Sequence, residues 1–144
     1  MTLIIRLAPH DSPDYQAAVA LRRAVLRKPL GLDFTPEQLA AEAGDRHFVA
    51  FDDGALVGAA VMTPYTATTV KLRQMAVSPD AQGRGVGAAL IKAFEGQARA
   101  DGMRVITLAA RVTAQGFYTA AGYTSEGDVF EEVTLPHILM TKRL

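Results

Sequence analysis

The first apolar run, Leu3 to Ala8, has the length of a strand. From Ser12-Pro13 the apolar period lengthens. Ala18, Val19, Leu21, Val25 and Leu26 mark one side of a helix, with Ser12 placed to cap it and Pro13 at its first position. Pro29 and Gly31 stop that helix. Thr35-Pro36-Glu37-Gln38 then reads as a capping box for a second, short helix ending near Gly44.

Strand periodicity returns in Arg46 to Asp52 and Ala55 to Thr63, joined at Asp53-Gly54, a strong hairpin signal. Thr68 to Val77 is a further strand whose alternation changes partway: Val70 and Leu72 share one face, Met75 and Val77 the other. Such a flip fits a strand covered on both faces or a β-bulge that frees main-chain groups. Arg84 to Asp101 is the most regular helix. Val86, Leu90 and Phe94 recur on one side, Lys92, Glu95 and Arg99 face elsewhere, and Gly102 is a stop. Val105 to Ala110 reads as a buried parallel strand. Thr113 is placed to cap a short helix through Ala121, and Tyr123 to Phe130 and His137 to Leu144 read as two last strands. With no repeats, linkers or low-complexity tracts, the pattern predicts one α/β domain over residues 1–144.

Composition narrows the chemistry. Zero cysteines exclude disulfides, thiol nucleophiles and Cys-based zinc sites, and His10, His47 and His137 are too scattered for a metal-ligand pattern. Neither a signal peptide nor a membrane span is predicted, so the expectation is a soluble, cytoplasmic protein. The net charge is zero, which gives no general attraction to nucleic acid. Arg22, Arg23, Arg27 and Lys28 nevertheless cluster, and read as a solvated helix face rather than an anion-docking site.

The segment richest in chemistry is Gln82-Gly83-Arg84-Gly85-Val86-Gly87-Ala88, set between a strand and the most regular helix. Glycines at alternate positions let the backbone turn tightly. The helix that follows opens with unpaired N–H groups and a positive dipole end, a seat for pyrophosphate. A P-loop needs Lys-Ser/Thr after its last glycine, and Ala88-Ala89 follow Gly87 instead. A dinucleotide-binding turn fits at Gly83 and Gly85, with Ala88 in third place, but lacks an acidic residue at the end of the next strand. The third pattern, Q/R-x-x-G-x-G/A, is met in full.

In that pattern the chain resembles the GNAT superfamily of N-acetyltransferases, whose turn binds the pyrophosphate of coenzyme A. Ala114-Gln115-Gly116-Phe117-Tyr118 to Gly122-Tyr123 is similar to a second family signature, A-x-x-F-Y-x-x-x-G-F/Y. The ending from Phe130 to Met140 resembles a subgroup with F-x-E then P-H-x-x-M. The resemblance implies an α/β fold with a mixed, mostly antiparallel sheet, flanking helices and central strands that splay apart. It implies acetyl-CoA as cosubstrate, no metal, pantetheine contacts at Met75, Ala76 and Val77, and a pyrophosphate cradle of Gln82, Gly83, Arg84, Gly85, Val86, Gly87 and Ala88. Many relatives pair, so a homodimer is compatible with it. Some members carry an Asn after the fifth strand; here Arg111 stands nearby and reads as a surface arginine, and Gln115 as either a cofactor contact or exposed.

Acyl transfer from a thioester to an amine needs a neutral amine, a stabilised oxyanion and a protonated leaving thiolate. Without cysteine, direct attack in a ternary complex is the expected route. Amides at or near Val77 can polarise the thioester carbonyl. Tyr118 is the expected proton donor to sulfur, mainly through the resemblance, with Phe117 beside it as core. His137 is a candidate base, since histidine exchanges protons near neutral pH, and Glu131 is one through water. Leu30, Leu32, Phe34, Phe130 and Leu135 offer an apolar wall for the acceptor. The leading expectation is N-acetylation of a small-molecule or peptide amine. A non-catalytic acyl-CoA-binding module is the alternative, and a dinucleotide-binding domain is disfavoured by the Asp53-Gly54 hairpin.

Overall fold

The computed structural model describes residues 2–144. Strand β1 (Leu3–Ala8) leads to helix α1 (Pro13–Arg22), and helix α2 (Pro36–Ala40) to the hairpin of β2 (Arg46–Asp52) and β3 (Ala55–Pro64). Then come β4 (Thr69–Val77), α3 (Val86–Ala100), β5 (Val105–Arg111), α4 (Gln115–Ala120), β6 (Thr124–Glu132) and β7 (Leu135–Arg143). The strands form one seven-stranded sheet in the order β1-β2-β3-β4-β5-β7-β6. Only β4 and β5 run parallel.

Local chemistry starts the helices as expected. The Ser12 hydroxyl accepts from the Tyr15 amide at 3.2 Å. Thr35 and Gln38 exchange both bonds of the capping box. Thr113, by contrast, caps nothing: a tight turn over Val112–Ala114 precedes α4, and neither start has a side-chain cap. Beyond Arg22 the first helix widens into a π-turn, Arg23–Arg27, and then tightens over Lys28–Leu30. Such widened turns displace the backbone relative to an α-helix and free carbonyls from the ladder.

Both faces of the sheet are covered. On one, Val86, Leu90 and Phe94 of α3 pack on Phe48, Ala50, Ala60 and Met62 from β2 and β3. On the other, Ala18 of α1 meets Ala8, Val49 and Ala59. Helix α3 comes so close to β3 that a Cβ at Gly58 would lie 2.8 Å from Val86 Cγ1 and 2.9 Å from Leu90 Cδ1. That approach sets the start of α3, and the turn before it, against the end of β4.

Two expected surface charges are buried. Arg22 is 1% exposed, and its guanidinium grips Glu42 with bonds of 2.9 and 2.6 Å. The Tyr15 hydroxyl adds a third bond to the same carboxylate. Burial alone would raise the Glu42 pKa, but the bonds and charge of Arg22 hold it below the ordinary carboxylate range. Arg22 is thus a tie between α1 and the segment after α2, not part of a solvated face. Glu95 is likewise buried, accepting from the Tyr123 hydroxyl and from Lys142 Nζ.

Candidate active site

Strands β4 and β5 pair only where Thr69, Val70 and Lys71 meet Val105, Ile106 and Thr107. Beyond that they diverge, and a cavity of about 500 Å³ opens between Leu72–Met75 on one side and Leu108–Arg111 on the other. The change of face read in the β4 sequence has its cause here. Between Ala59↔Ala76 and Val61↔Arg73 the register slips, and Gln74 adopts φ 55°. The strand therefore carries a β-bulge at Gln74, which re-aims the residues after it.

The bulge and the divergence leave main-chain groups facing the opening. The Ser78 amide bonds to the Val57 carbonyl of β3 at 2.8 Å. Alternation along an antiparallel ladder then turns the Val77 N–H away from β3, toward the side where β5 no longer pairs. The Val77 carbonyl accepts from the Gln82 side-chain amide at 3.2 Å, which fastens the glycine turn to the strand end. Within that turn Gly83 and Gly85 have φ of 76° and 84°, and nothing lies within 4 Å of a Cβ at either. The Ala89 amide bonds to the Gly85 carbonyl, so the amides of Val86, Gly87 and Ala88 precede the helix ladder and have no acceptor within it. Open space, free amides and a helix dipole fit a pyrophosphate.

Tyr118 reaches the cavity from α4. It is 7% exposed, and burial alone pushes its hydroxyl up to about 12. His137 comes from β7, buried and stacked at 6.2 Å on Phe130. Its Nδ1 lies 2.9 Å from the Leu135 carbonyl. A carbonyl can only accept, so Nδ1 carries the proton in the neutral ring and Nε2 keeps a lone pair. Nε2 stands 3.9 Å from a Glu132 carboxylate oxygen.

The structure brings Met75, Tyr118, His137 and Phe130 to one cavity. Ala76 is buried in the core, and Val77 and Gln82 to Ala88 are not among the lining residues; the Gln82 bond ties their turn to the end of β4. Arg111 is not a free surface arginine: it lines the cavity and donates from Nη2 to the Leu26 carbonyl at 3.0 Å. Glu132 replaces Glu131 as the acidic residue of the site, because alternation on β6 puts Glu132 on the same side as Phe130. Leu30, Leu32, Phe34 and Leu135 are not among the lining residues; Leu26 and Arg27 of the π-turn take that wall. Phe117 is 41% exposed rather than core. Its ring would lie 3.0 Å from a Cβ at Gly87, and it borders a second cavity of about 350 Å³ with Ala88, Ile91 and Lys92.

Arg27, read as part of a solvated helix face, and Glu132, a weaker acidic candidate beside Glu131, both line the cavity, as does Gln74, which was not singled out. Only the strand flip around Gln74 gave a signal. Among the described residues no group of His, Asp and Glu gathers as a metal site, and no helix is long and apolar enough to cross a membrane.

Comparison with known proteins agrees with this geometry. Residues 21–144 match the family described as "Acetyltransferase (GNAT) domain". A Bacillus subtilis (strain 168) protein provisionally named an acetyltransferase is 27% identical over 133 residues, covering 90% of each chain. Escherichia coli ElaA superposes with a TM-score of 0.82 at 23% identity, over 98% of this chain and 99% of its own. A GNAT family acetyltransferase from Elizabethkingia anophelis, solved with acetyl-CoA bound, gives a TM-score of 0.76 at 17% identity, over 99% and 98%.

Proposed function

The chain belongs to the acetyltransferase (GNAT) family, and on that premise we propose that it transfers an acetyl group from acetyl-CoA to a primary amine. The acceptor in this reading is a small molecule or a peptide, bound together with acetyl-CoA and attacking directly. The observation that carries it is the divergence of β4 from β5, with the hydroxyl-bearing Tyr118 and the imidazole-bearing His137 on the walls of one cavity. Acetyl-CoA supplies the activated acyl thioester; the chain supplies position, donors and proton transfer.

The glycine turn and the first amides of α3 hold the pyrophosphate, which fixes the direction of the pantetheine arm along Met75, Ala76 and Val77. The Val77 N–H, freed by the end of pairing with β5, donates to the thioester carbonyl. Fixed donors of this sort need no reorganisation as negative charge develops on oxygen. With no cysteine in the chain, no thiol of the protein can take the acyl group. Tyr118 donates its hydroxyl proton to the departing sulfur, and its raised pKa of about 12 keeps it a donor at neutral pH. His137 accepts a proton from the amine at Nε2. The Leu135 carbonyl fixes the ring and its tautomer, and Glu132 offsets the positive charge that the ring gains.

A coenzyme A release assay against amines, amino acids, polyamines, aminoglycosides and peptides tests this function. Release with at least one acceptor supports transfer. Tight acetyl-CoA binding by calorimetry, with release from none of these classes, supports a non-catalytic acyl-CoA-binding module instead.

A further inference from the structure

One wall of the cavity carries a pair of like charges. Arg27 Nη1 donates to the Leu26 carbonyl at 3.2 Å, and Arg111 Nη2 donates to the same carbonyl at 3.0 Å. Both arginines line the cavity. Burial, and then the charge of Arg111, push the Arg27 guanidinium below its ordinary range, while Glu132 acts the other way. Arg27 Cζ also sits over the Phe34 ring at 4.7 Å, and the remaining basic side chains of the lining have partners of their own. Lys71 Nζ sits over the Tyr65 ring at 4.3 Å. Arg73 reaches Thr63 Oγ1 at 3.4 Å and Asp45 at 4.0 Å.

Two guanidiniums against the single carboxylate of Glu132 leave this wall net positive, and Lys71 and Arg73 add to that sign further along the lining. A planar, singly charged carboxylate matches both that charge and the forked donors of arginine. A dianionic phosphate would set two negative charges, not one, against the Glu132 carboxylate. A second unmet group lines the same space: Gln74 Oε1 is buried with no hydrogen-bond partner among the described residues. An oxygen without a donor suits an incoming N–H. The rest of the acceptor side is apolar, with Leu26, Phe130, Val133 and Leu139. A cavity of about 500 Å³ that also admits the thioester end leaves room for an acceptor of amino-acid size.

We propose that the acceptor is an amino carboxylate of amino-acid size, its carboxylate held by Arg27 and Arg111 and its amine donating to Gln74 Oε1. This rests on the acetyl-transfer reading for its place in the reaction, but its recognition chemistry is measurable without turnover. The partners chosen exclude polyamines and aminoglycosides, whose positive charge would meet the two arginines.

The test is calorimetric titration of the coenzyme A-loaded protein with matched pairs, each of the standard L-amino acids against its carboxamide. At least one acid is expected to bind tenfold or more tightly than its amide. In Arg111→Gln and, separately, Arg27→Gln, that preference is expected to shrink to within about threefold, as one charged hydrogen bond is lost. Coenzyme A affinity serves as the check that each variant is folded. Carboxamides binding as well as the acids, no acid binding at all, or a preference that survives both substitutions overturns the proposal. Coenzyme A release with the same compounds separates the two readings. Acid-selective binding without release leaves this inference standing and defeats acetyl transfer. Release with neutral or cationic amines, and none with acids, does the reverse.

Discussion

Nε2 of His137 stands 3.9 Å from the Glu132 carboxylate, across the two-residue turn that joins β6 to β7. A two-residue hairpin places its flanking residues and their neighbours in fixed register, so the pair is set by the backbone. On the other side of the ring, Nδ1 is tied to the Leu135 carbonyl.

If that arrangement serves to take a proton from the amine, His137→Ala lowers turnover by at least about tenfold near neutral pH. Activity recovers in part at higher pH, as unprotonated amine becomes available. Glu132→Gln gives a smaller loss, because the ring keeps its anchor but loses the countercharge. A pH–rate profile of His137→Ala matching the parent in height and shape returns His137 to a packing role.

Pyrophosphate binding at the glycine turn is best tested without disturbing the backbone. Gly85 has φ 84° at the start of α3, so a valine there strains the fold as well as the site. Ala88 is exposed in the first turn, which has no acidic residue. Ala88→Asp should leave stability unchanged or raise it by about 0.3–1 kcal/mol through the helix dipole. The same carboxylate repels a phosphate, so acetyl-CoA affinity by calorimetry should fall at least tenfold. Unchanged affinity moves the pyrophosphate elsewhere.

Three tyrosines give the protein an alkaline limit. Burial raises Tyr118 to about 12, and burial with the bond to Glu42 raises Tyr15 to about 12, both from 10.0, while burial and the Glu95 carboxylate push Tyr123 higher still. A raised folded-state pKa stabilises fully below the unfolded value and is lost as pH rises through the folded value. The melting temperature should therefore hold up to about pH 10 and decline from there upward. Tyr118→Phe should lessen that decline, which thermal denaturation across the range measures.

Strand and helix limits were largely legible in the sequence, because caps, the Asp53-Gly54 turn and apolar period act over a few residues. The Gln74 bulge left a trace too, as the change of face between Leu72 and Met75. What escaped was set by partners far along the chain. Arg22 looked solvated until Glu42 came across from the turn after α2, and Glu95 until Tyr123 and Lys142 reached it. The choice of Glu132 over Glu131 depends on a turn at Val133 and Thr134, whose φ values of 50° and 65° are unusual for such residues. No Gly or Asn marks that turn. The inward course of Arg27 follows from a π-turn that has no sequence signal of its own.

The central claim is that the opening between β4 and β5 is where acyl transfer occurs, with Tyr118 as the proton donor to sulfur. Single-turnover acetyl transfer by Tyr118→Phe on a good acceptor tests it most directly. The substitution keeps the ring against Tyr123 and removes only the hydroxyl. General acid catalysis contributes about 10²–10⁴-fold, so the rate should fall by at least about tenfold while the acetyl-CoA dissociation constant stays within a few-fold. A single-turnover rate equal to the parent's, with binding intact, would contradict the account and leave Tyr118 a packing residue.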